Sequence, residues 1–554
     1  MLGKAFMEVC MKNNPNRFWT IVILLGWAFD FLFWKKPAGI NFAIYVALCL
    51  VTGILLLRAD GLPLARRSGL LLLPIAFLAA MTFIRLEPMT TLLLVSAALF
   101  LMGIFALTYV SGEWARYSLL DYLFGYLRLF GSMIARPLGF AAQNRRLPSG
   151  QPSPPASVPQ AQVSQKRSAR IWPVVRGVVI ALPVIAIFAS LLSSADPIFA
   201  KRFEDFIELF NIDNLPEYIF RLVYILIFAY ALAGTFLHAA QKSDEKIEEK
   251  TWVSPFLGFT EAAIVLGSVT VLFVAFVVVQ FQYFFGGQAN ISIEGYTFSE
   301  YARKGFGELV TVAFFSLLLL LGLGAITHRE TETQRRVFSG FGAGLVGLVI
   351  VMLVSAYQRL VLYEMAYGFS RLRTYTHVFM IWLGLLLVVV VVLEMLRRER
   401  AVGLVMVLAA LGFVISLSVL SVDAFIVKQN IQREIRGTGD ETIAQGRADL
   451  DAQYFLDLSD DAVPSLVNAY QTQSLPAPVR EKVGASLACI RYTRDLDQRD
   501  LPWQSFHFSR FNADRALAEV KKELDAYKIL DKDLPVMVET PAGEEFSCWQ
   551  YYYD

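Results

Sequence analysis

Long apolar stretches recur through the first 422 residues of this 554-residue chain. A run of about 18 or more apolar residues can cross the hydrocarbon core of a bilayer as one α-helix. About eleven such runs are present, and so many cannot all be buried in one water-soluble core. They occupy residues 17–34, 39–57, 68–84, 89–110, 171–192, 217–239, 254–284, 306–327, 337–357, 375–396 and 401–421. The sequence therefore predicts an all-α polytopic membrane protein.

Composition changes along the chain and predicts its division into parts. Only 18% of the residues are charged, against roughly 25% in an average soluble protein, but the depletion ends near residue 430. A Pro/Ser/Gln-rich stretch predicts a disordered linker, and apolar residues at helical spacing between 120 and 134 predict a helix lying on the membrane surface. We expect a four-helix membrane block with this interfacial helix at 1–142, a cytoplasmic linker at 143–170, a seven-helix membrane core at 171–422, and a small, mainly helical soluble domain at 423–554, here named the tail.

Three helices are predicted within the tail. The first begins near Asp460, where acidic residues precede Pro464 as at many helix starts. The second runs from about Pro478 to Tyr492, and the third follows Asn512, a plausible N-cap.

The positive charges predict an orientation for this topology. If the N-terminus lies in the cytoplasm, the inner segments hold more than twice as many Lys and Arg residues as the outer loops. Positively charged loops are retained on the cytoplasmic side. With an odd number of spans, the tail is then extracytoplasmic.

Two of the four cysteines, Cys489 and Cys548, lie in the tail. An oxidising compartment permits a disulfide between them, and the alternative is two separate buried thiols. Cys10 and Cys49 have no metal-ligand residues beside them in the sequence.

Several classes of function lack their sequence signatures. The chain has no phosphate-binding G-x-x-x-x-G-K-[ST] loop, which argues against ATP hydrolysis. Its four histidines are far apart in sequence, which argues against a metal site of local spacing, and a net charge of +2 offers no argument for nucleic acid. Gly342, Gly344 and Gly347 match a dinucleotide fingerprint but lie inside an apolar span, where Gly340 and Gly344 instead predict close helix packing. We expect no cofactor and no metal.

Charged and aromatic residues gather at the predicted outer ends of the spans. The candidate ligand-binding residues are Glu300, Arg303, Glu308, Arg359, Tyr363, Glu364, Tyr367, Arg371 and Arg373. If one helix continues through the second group, Arg359, Tyr363, Tyr367 and Arg371 form a stripe, with Glu300 and Glu308 as partners. One interpretation is an interfacial aromatic belt with internal ion pairs. The other is a pocket for an anionic ligand, such as a lipid phosphate or a carboxylate.

These segments also carry a family resemblance. The stretches 194–199, 300–309, 359–368, 372–375 and 449–464 resemble an uncharacterised bacterial family of multi-pass membrane proteins carrying a domain of unknown function. The resemblance covers roughly residues 180–515 and leaves out the first four spans. It implies a bacterial membrane location and no particular activity.

Three classes of function remain. The separate tail favours a non-catalytic envelope sensor or assembly factor of the bacterial inner membrane that binds a partner outside the cytoplasm. The alternatives are a transporter of a small or lipid-linked anion and a lipid-modifying enzyme, although few charges lie within the spans. The expected partners are the lipid bilayer and either an anionic lipid or an extracytoplasmic protein, without nucleic acid.

Overall fold

The computed structural model describes residues 15–146, 181, 185, 188–208, 214–241, 254–285, 306–437, 449–472, 475–496, 501–530 and 535–549. Before the tail, its helices are α1 (Pro15–Phe33), α2 (Ile40–Ala59), α3 (Leu72–Ile84), α4 (Pro88–Thr108), α5 (Leu119–Arg146), α6 (Pro197–Glu208), α7 (Leu215–Ala239), α8 (Phe259–Phe285), α9 (Phe306–Ile326), α10 (Glu332–Tyr367), α11 (Arg371–Met395), α12 (Ala401–Leu420) and α13 (Val422–Gly437).

Ten helices in this described part are long and apolar enough to cross a membrane. They are all of those named except α5, α6 and α13, with the short helix Arg66–Gly69 extending α3 at its start. The predicted all-α polytopic architecture is confirmed. The predicted span at 171–192 lies largely outside the described residues. So does the predicted linker, except for its first residues, which continue α5.

The membrane helices pack around two hydrophobic cores. The first is shared by α1 to α5, α7 and α12, and the second by α8 to α11. Helix α12 contacts both α4 and α11 and so joins the two groups. An ion pair, from Nε of Arg221 in α7 to the buried carboxylate of Asp30 in α1 at 3.0 Å, borders the first core. Packing in this core therefore connects helices from both sides of the predicted linker.

Close helix contact occurs at a glycine other than those the sequence pattern indicated. A Cβ atom added at Gly340 or Gly344 would meet no described atom within 4 Å, so the predicted close approach there is not found in the described part of the chain. A Cβ at Gly234 in α7 would lie 2.3 Å from Cα of Met133 in α5. The backbone of α5 therefore lies directly against α7.

The tail is a compact helical unit with one small sheet. Its main elements are α14 (Val463–Gln471), α15 (Ala477–Leu496), α16 (Phe508–Glu519) and the antiparallel strands β1 (Lys528–Leu530), β2 (Met537–Glu539) and β3 (Glu545–Ser547) in the order β1-β2-β3. The predicted helix start near Pro464 is confirmed. The predicted N-cap at Asn512 is wrong, because α16 begins four residues earlier, after His507.

A disulfide joins Cys489 in α15 to Cys548 just after β3, with the two Cα atoms 5.3 Å apart. Cys489 is buried in the tail core, which also includes Val427 and Ile431 of α13. The bond attaches the last strand to a central helix. Helix α13 in turn extends from the membrane helices directly into the core of the tail.

The tail lies against one end of the helix bundle, here named the tail face. The N–H of Ile40, at the start of α2, donates to the carbonyl oxygen of Phe506 at 3.0 Å. Nε2 of His507 lies 3.1 Å from the carbonyl oxygen of Thr82, near the end of α3. The loops that precede α2, α4 and α11 all meet the tail here, and all three are loops that the sequence assigns to the outer side.

Candidate functional site

The turn 368–370 brings α11 to the tail face beside α13. Gly368 has a φ of 82°, a backbone conformation that glycine adopts without steric cost. A Cβ there would lie 2.7 Å from Oδ1 of Asn430 in α13. The amide of Asn430 accepts the N–H of Phe369 at 2.6 Å and donates to the carbonyl oxygen of Phe369 at 3.0 Å. These contacts attach the turn to α13.

Arg371 and Asp423 form a two-pronged ion pair next to this turn. Nε of Arg371 donates to Oδ1 of Asp423 at 2.8 Å, and Nη2 donates to Oδ2 at 2.6 Å. Asp423 is completely buried, and its Oδ2 also accepts the N–H of Ser459 in the tail at 2.7 Å. The hydroxyl of Tyr454 accepts the backbone N–H of Arg371 at 2.9 Å, and burial raises the pKa of the Tyr454 phenol. The pair therefore links α11, α13 and the tail.

Glu87 connects the same region to the N-terminal helices. Its buried carboxylate caps α4 by accepting the N–H of Met89 at 2.9 Å and that of Thr90 at 2.7 Å. A carboxylate at this position also interacts favourably with the helix dipole. The hydroxyl of Tyr375 in α11 donates to Oε1 of Glu87, and Nε of Arg371 lies 4.0 Å from the same oxygen. Glu87 thus joins α4 to α11.

Asp461 attaches the tail to the loop between α3 and α4. Its Oδ2 accepts the N–H of Leu86 at 2.9 Å and that of Glu87 at 3.2 Å. Its Oδ1 lies 3.8 Å from Nη1 of Arg85, whose Nε donates to the carbonyl oxygen of Ser418 in α12 at 2.7 Å. Asp461 therefore contacts both backbone N–H groups and an arginine side chain of this loop.

These contacts form one connected set, named the junction network. Its members are Arg85, Glu87, Arg371, Tyr375, Asp423, Tyr454, Ser459 and Asp461. Two guanidinium groups face three carboxylates, and five backbone N–H groups also donate to these carboxylates. Buried charges that are paired and hydrogen-bonded in this way avoid the large cost of an isolated buried ion. The arrangement is suited to holding the tail in one orientation on the helices.

A second polar pair lies inside the bundle near the tail face. Oε2 of Glu364 in α10 lies 2.8 Å from Nε2 of His377 in α11. Glu364 is 2% exposed, and the ring of Tyr357 packs edge-on against His377 at 4.6 Å between centroids. Within the described part of the chain, Oε1 of Glu364 and Nδ1 of His377 have no hydrogen-bond partner. The pair could therefore accept a further polar group.

Comparison with known proteins adds the family. A family model described as a domain of unknown function, DUF4153, matches residues 72–469, which is more than two thirds of the chain. The chain belongs to the DUF4153 family. No curated protein and no solved structure matches it.

The DUF4153 match confirms the family resemblance and changes its extent. It begins at residue 72, at the start of α3, rather than near 180, and it ends at 469 rather than near 515. All members of the junction network lie within it. The disulfide, α15, α16 and the sheet lie beyond its end.

The structure separates the nine candidate ligand-binding residues. Glu300 and Arg303 lie outside the described residues, and Glu308 is exposed in the first turn of α9. Helix α10 continues through Tyr367, so Arg359, Tyr363 and Tyr367 do share one helix. The extension of this stripe to Arg371 is wrong, because α10 ends at Tyr367 and Arg371 begins α11.

The remaining candidates contact other parts of this DUF4153 protein. The guanidinium of Arg373 lies 4.1 Å from the centroid of the Tyr363 ring and donates to the carbonyl oxygen of Gly368. The rings of Tyr363 and Tyr367 lie 5.0 Å apart. With Arg371 on Asp423 and Glu364 on His377, these contacts match the interpretation of an aromatic belt with internal pairs. The anionic-ligand pocket stays a prediction.

Several important residues were not among the sequence candidates. Asp423 lies two residues after the last predicted span, and Glu87 precedes a proline as helix caps often do. Glu364 lies before the turn 368–370 and His377 after it, and the two meet because α10 and α11 pair as antiparallel helices. The sequence around each of these residues carried a local signal. It did not show the contacts of Asp423 and Glu87, because most of their partners are distant in the chain.

Proposed function

We propose that this DUF4153 protein is a non-catalytic envelope protein of the bacterial inner membrane, a sensor or assembly factor whose tail binds a partner outside the cytoplasm. The junction network carries the proposal. It buries charged groups to keep the tail in one orientation, which is useful if the tail must present a surface or transmit a change to α11 and α13. Its carboxylates are already engaged by protein groups, an arrangement that favours positioning over catalysis.

The extracytoplasmic placement of the tail rests on two independent supports. The Lys and Arg bias favours an N-terminus in the cytoplasm. The disulfide between Cys489 and Cys548 fits an oxidising compartment, because the cytoplasm keeps thiols reduced. The test is a fusion after Asp554: alkaline phosphatase should be active there and a cytoplasm-dependent fluorescent protein should be dark. The opposite pair of results would overturn the placement.

A groove on the tail is the surface that we assign to the partner. It lies between α14 and α16 and has a volume of about 350 Å³. It is lined by Pro464, Val467, Asn468, Gln471, Asn512, Arg515, Ala516 and Glu519. Amide, guanidinium and carboxylate groups border a small apolar floor, a combination that suits a peptide segment of an extracytoplasmic protein.

Site-specific photocrosslinking in cells tests this assignment. A benzophenone amino acid at Gln471 should give a discrete protein adduct, because this residue lines the groove. The matched control carries the same group at Lys522, an exposed position outside the groove. The substitution Ala516→Trp should fill the floor and remove the adduct. An adduct of equal yield at Lys522, or none at Gln471, would contradict partner binding in the groove.

The pair Glu364 and His377 supports a second candidate function, a transporter of a small or lipid-linked anion or a lipid-modifying enzyme. Ionisable residues within membrane helices often mark substrate pathways. Under this alternative, Glu364→Gln should abolish cellular function while protein level and the Gln471 adduct stay normal. Under the proposed function, it is instead Ala516→Trp, which removes the adduct, that should abolish cellular function.

A further inference from the structure

Residues 503–511 of the tail show an inverted burial pattern. The aromatic residues are exposed, at 58% for Trp503, 43% for Phe506, 44% for Phe508 and 52% for Phe511. Four uncharged polar residues between them are at most 4% exposed, and they are Gln504, Ser505, His507 and Ser509. In a domain surrounded by water, polar groups usually face outwards and aromatic groups inwards. The inversion indicates that the medium outside this segment is apolar.

The inward polar groups fix the segment at the ends of membrane helices. The hydroxyl of Ser505 donates to the carbonyl oxygen of Pro37 at 3.0 Å, just before α2. The carbonyl oxygen of Phe506 accepts the N–H of Ile40 at 3.0 Å, and His507 contacts Thr82 in α3. The ends of membrane helices mark the level where hydrocarbon gives way to lipid headgroups. The exposed aromatic residues are therefore held at that level.

The three exposed phenylalanine rings form one cluster. The centroid of Phe511 lies 6.3 Å from that of Phe506 and 6.5 Å from that of Phe508. Arg510, between them in sequence, keeps 40% of its side chain exposed and lies 3.6 Å from Asp460. Segments with Trp and Phe on one face and Arg beside them are typical of surfaces that lie at the boundary between headgroups and acyl chains.

We propose that Trp503, Phe506, Phe508 and Phe511 insert into the bilayer interface on the tail face and form a second, lipid-mediated attachment of the tail. Lipid is the occupant because the cluster adjoins the ends of α2 and α3, which are long and apolar enough to cross a membrane. The attachment goes beyond the proposed partner binding, since the groove between α14 and α16 is lined by other residues.

Depth-dependent fluorescence quenching tests the proposal on the full chain. The background replaces Cys10 with serine and Cys49 with alanine and keeps the disulfide. Phe508→Cys carries a bimane label, and the protein is reconstituted into phosphatidylcholine vesicles with or without bromine on the upper acyl-chain carbons. We expect roughly twofold lower emission in the brominated vesicles, because an interfacial ring lies close to those carbons.

The matched control is Lys522→Cys, in the short helix Lys521–Leu524 that follows α16. Its emission should not change with bromination, and aqueous iodide should quench it more strongly than the label at 508. If Phe508→Cys does not fold, Trp503→Cys provides the same measurement at another exposed ring. A folded protein whose label at 508 or 503 is not quenched by brominated lipid would overturn the proposal. Quenching by aqueous iodide alone would place the cluster in water, and quenching by neither would mean that protein covers it.

Discussion

Replacing Asp423 with alanine should weaken the attachment of the tail to the membrane helices more than any surface substitution. Asp423 is completely buried and accepts two hydrogen bonds from Arg371 and one from Ser459. The alanine variant leaves a guanidinium and a backbone N–H without their acceptor. Removing one partner of a buried ion pair costs about 3–5 kcal/mol.

The lower end of that range applies here. The side chain of Arg371 is 24% exposed, so water can solvate part of its charge, and Glu87 lies 4.0 Å away as a second anion. We therefore expect a loss of about 3 kcal/mol, which is more than a hundredfold in the folding equilibrium. Asp423→Asn should lose less, because its side-chain oxygen can still accept from Ser459. The double variant Arg371→Leu/Asp423→Leu should also lose less than Asp423→Ala, since no unpaired charge remains.

Thermal unfolding of the purified full chain in detergent, followed by size-exclusion chromatography, measures these differences. Hydrogen exchange of peptides from residues 449–472 reports whether the tail becomes detached before the helices unfold. The control is Arg515→Ala, which breaks the exposed pair between Arg515 and Glu519 and should not change the midpoint measurably. The reasoning is refuted if Asp423→Ala unfolds at the same temperature as Arg515→Ala, or if the double leucine variant is the least stable of the set.

Three further predictions concern the turn, the disulfide and pH. Gly368→Ala should destabilise the protein, because φ is 82° and the new Cβ would lie 2.7 Å from a side-chain oxygen; thermal unfolding measures the loss. Cys489→Ser should cost roughly 4 kcal/mol, because the bond to Cys548 spans 59 residues, and reductant should reproduce the loss in the native protein. Burial lowers the pKa of His507 below its usual value of 6.5. Just below pH 6.5 the unfolded tail therefore binds more protons than the folded tail. Stability should decrease as the pH is lowered through this range.

Each of these has its own control. Gly347→Ala places a Cβ in open space within α10 and should be neutral or slightly stabilising, so an equal loss at both glycines would refute the steric argument. The stability of Cys489→Ser itself should not respond to reductant. For His507→Gln, the unfolding midpoint should differ less between about pH 7.5 and about pH 5.5 than it does for the native protein. An unchanged difference would assign the pH dependence to other groups.

The positions of the membrane-spanning helices were largely predictable from the sequence. In a bilayer each helix must satisfy its own backbone hydrogen bonds, so a local run of apolar residues is sufficient to indicate a span. The predicted spans match the ten described ones to within several residues, except that the helix predicted at 337–357 extends to Tyr367. The same local reasoning located the start of α14 at Pro464, because a helix start depends on a few adjacent residues.

The partners of the polar residues were decided by tertiary structure alone. Arg371 was expected to join a stripe on α10 with Glu300 or Glu308 as partner, and it pairs with Asp423 instead, 52 residues away. A charged side chain at a helix end can reach any neighbour that packing brings near, and local sequence does not specify that neighbour.

The exposure of the aromatic residues in 503–511 was likewise decided by tertiary contacts and not by local sequence. The sequence placed this segment in a soluble tail, where aromatic residues are expected to be buried. Packing against α2 and α3 turns Ser505 and His507 inwards and leaves Trp503 and Phe508 exposed.

The sequence by itself determined that the chain is a multi-pass membrane protein, because that depends on local hydrophobicity. Only the tertiary structure decided how the tail is attached, because that depends on contacts between segments far apart in the chain.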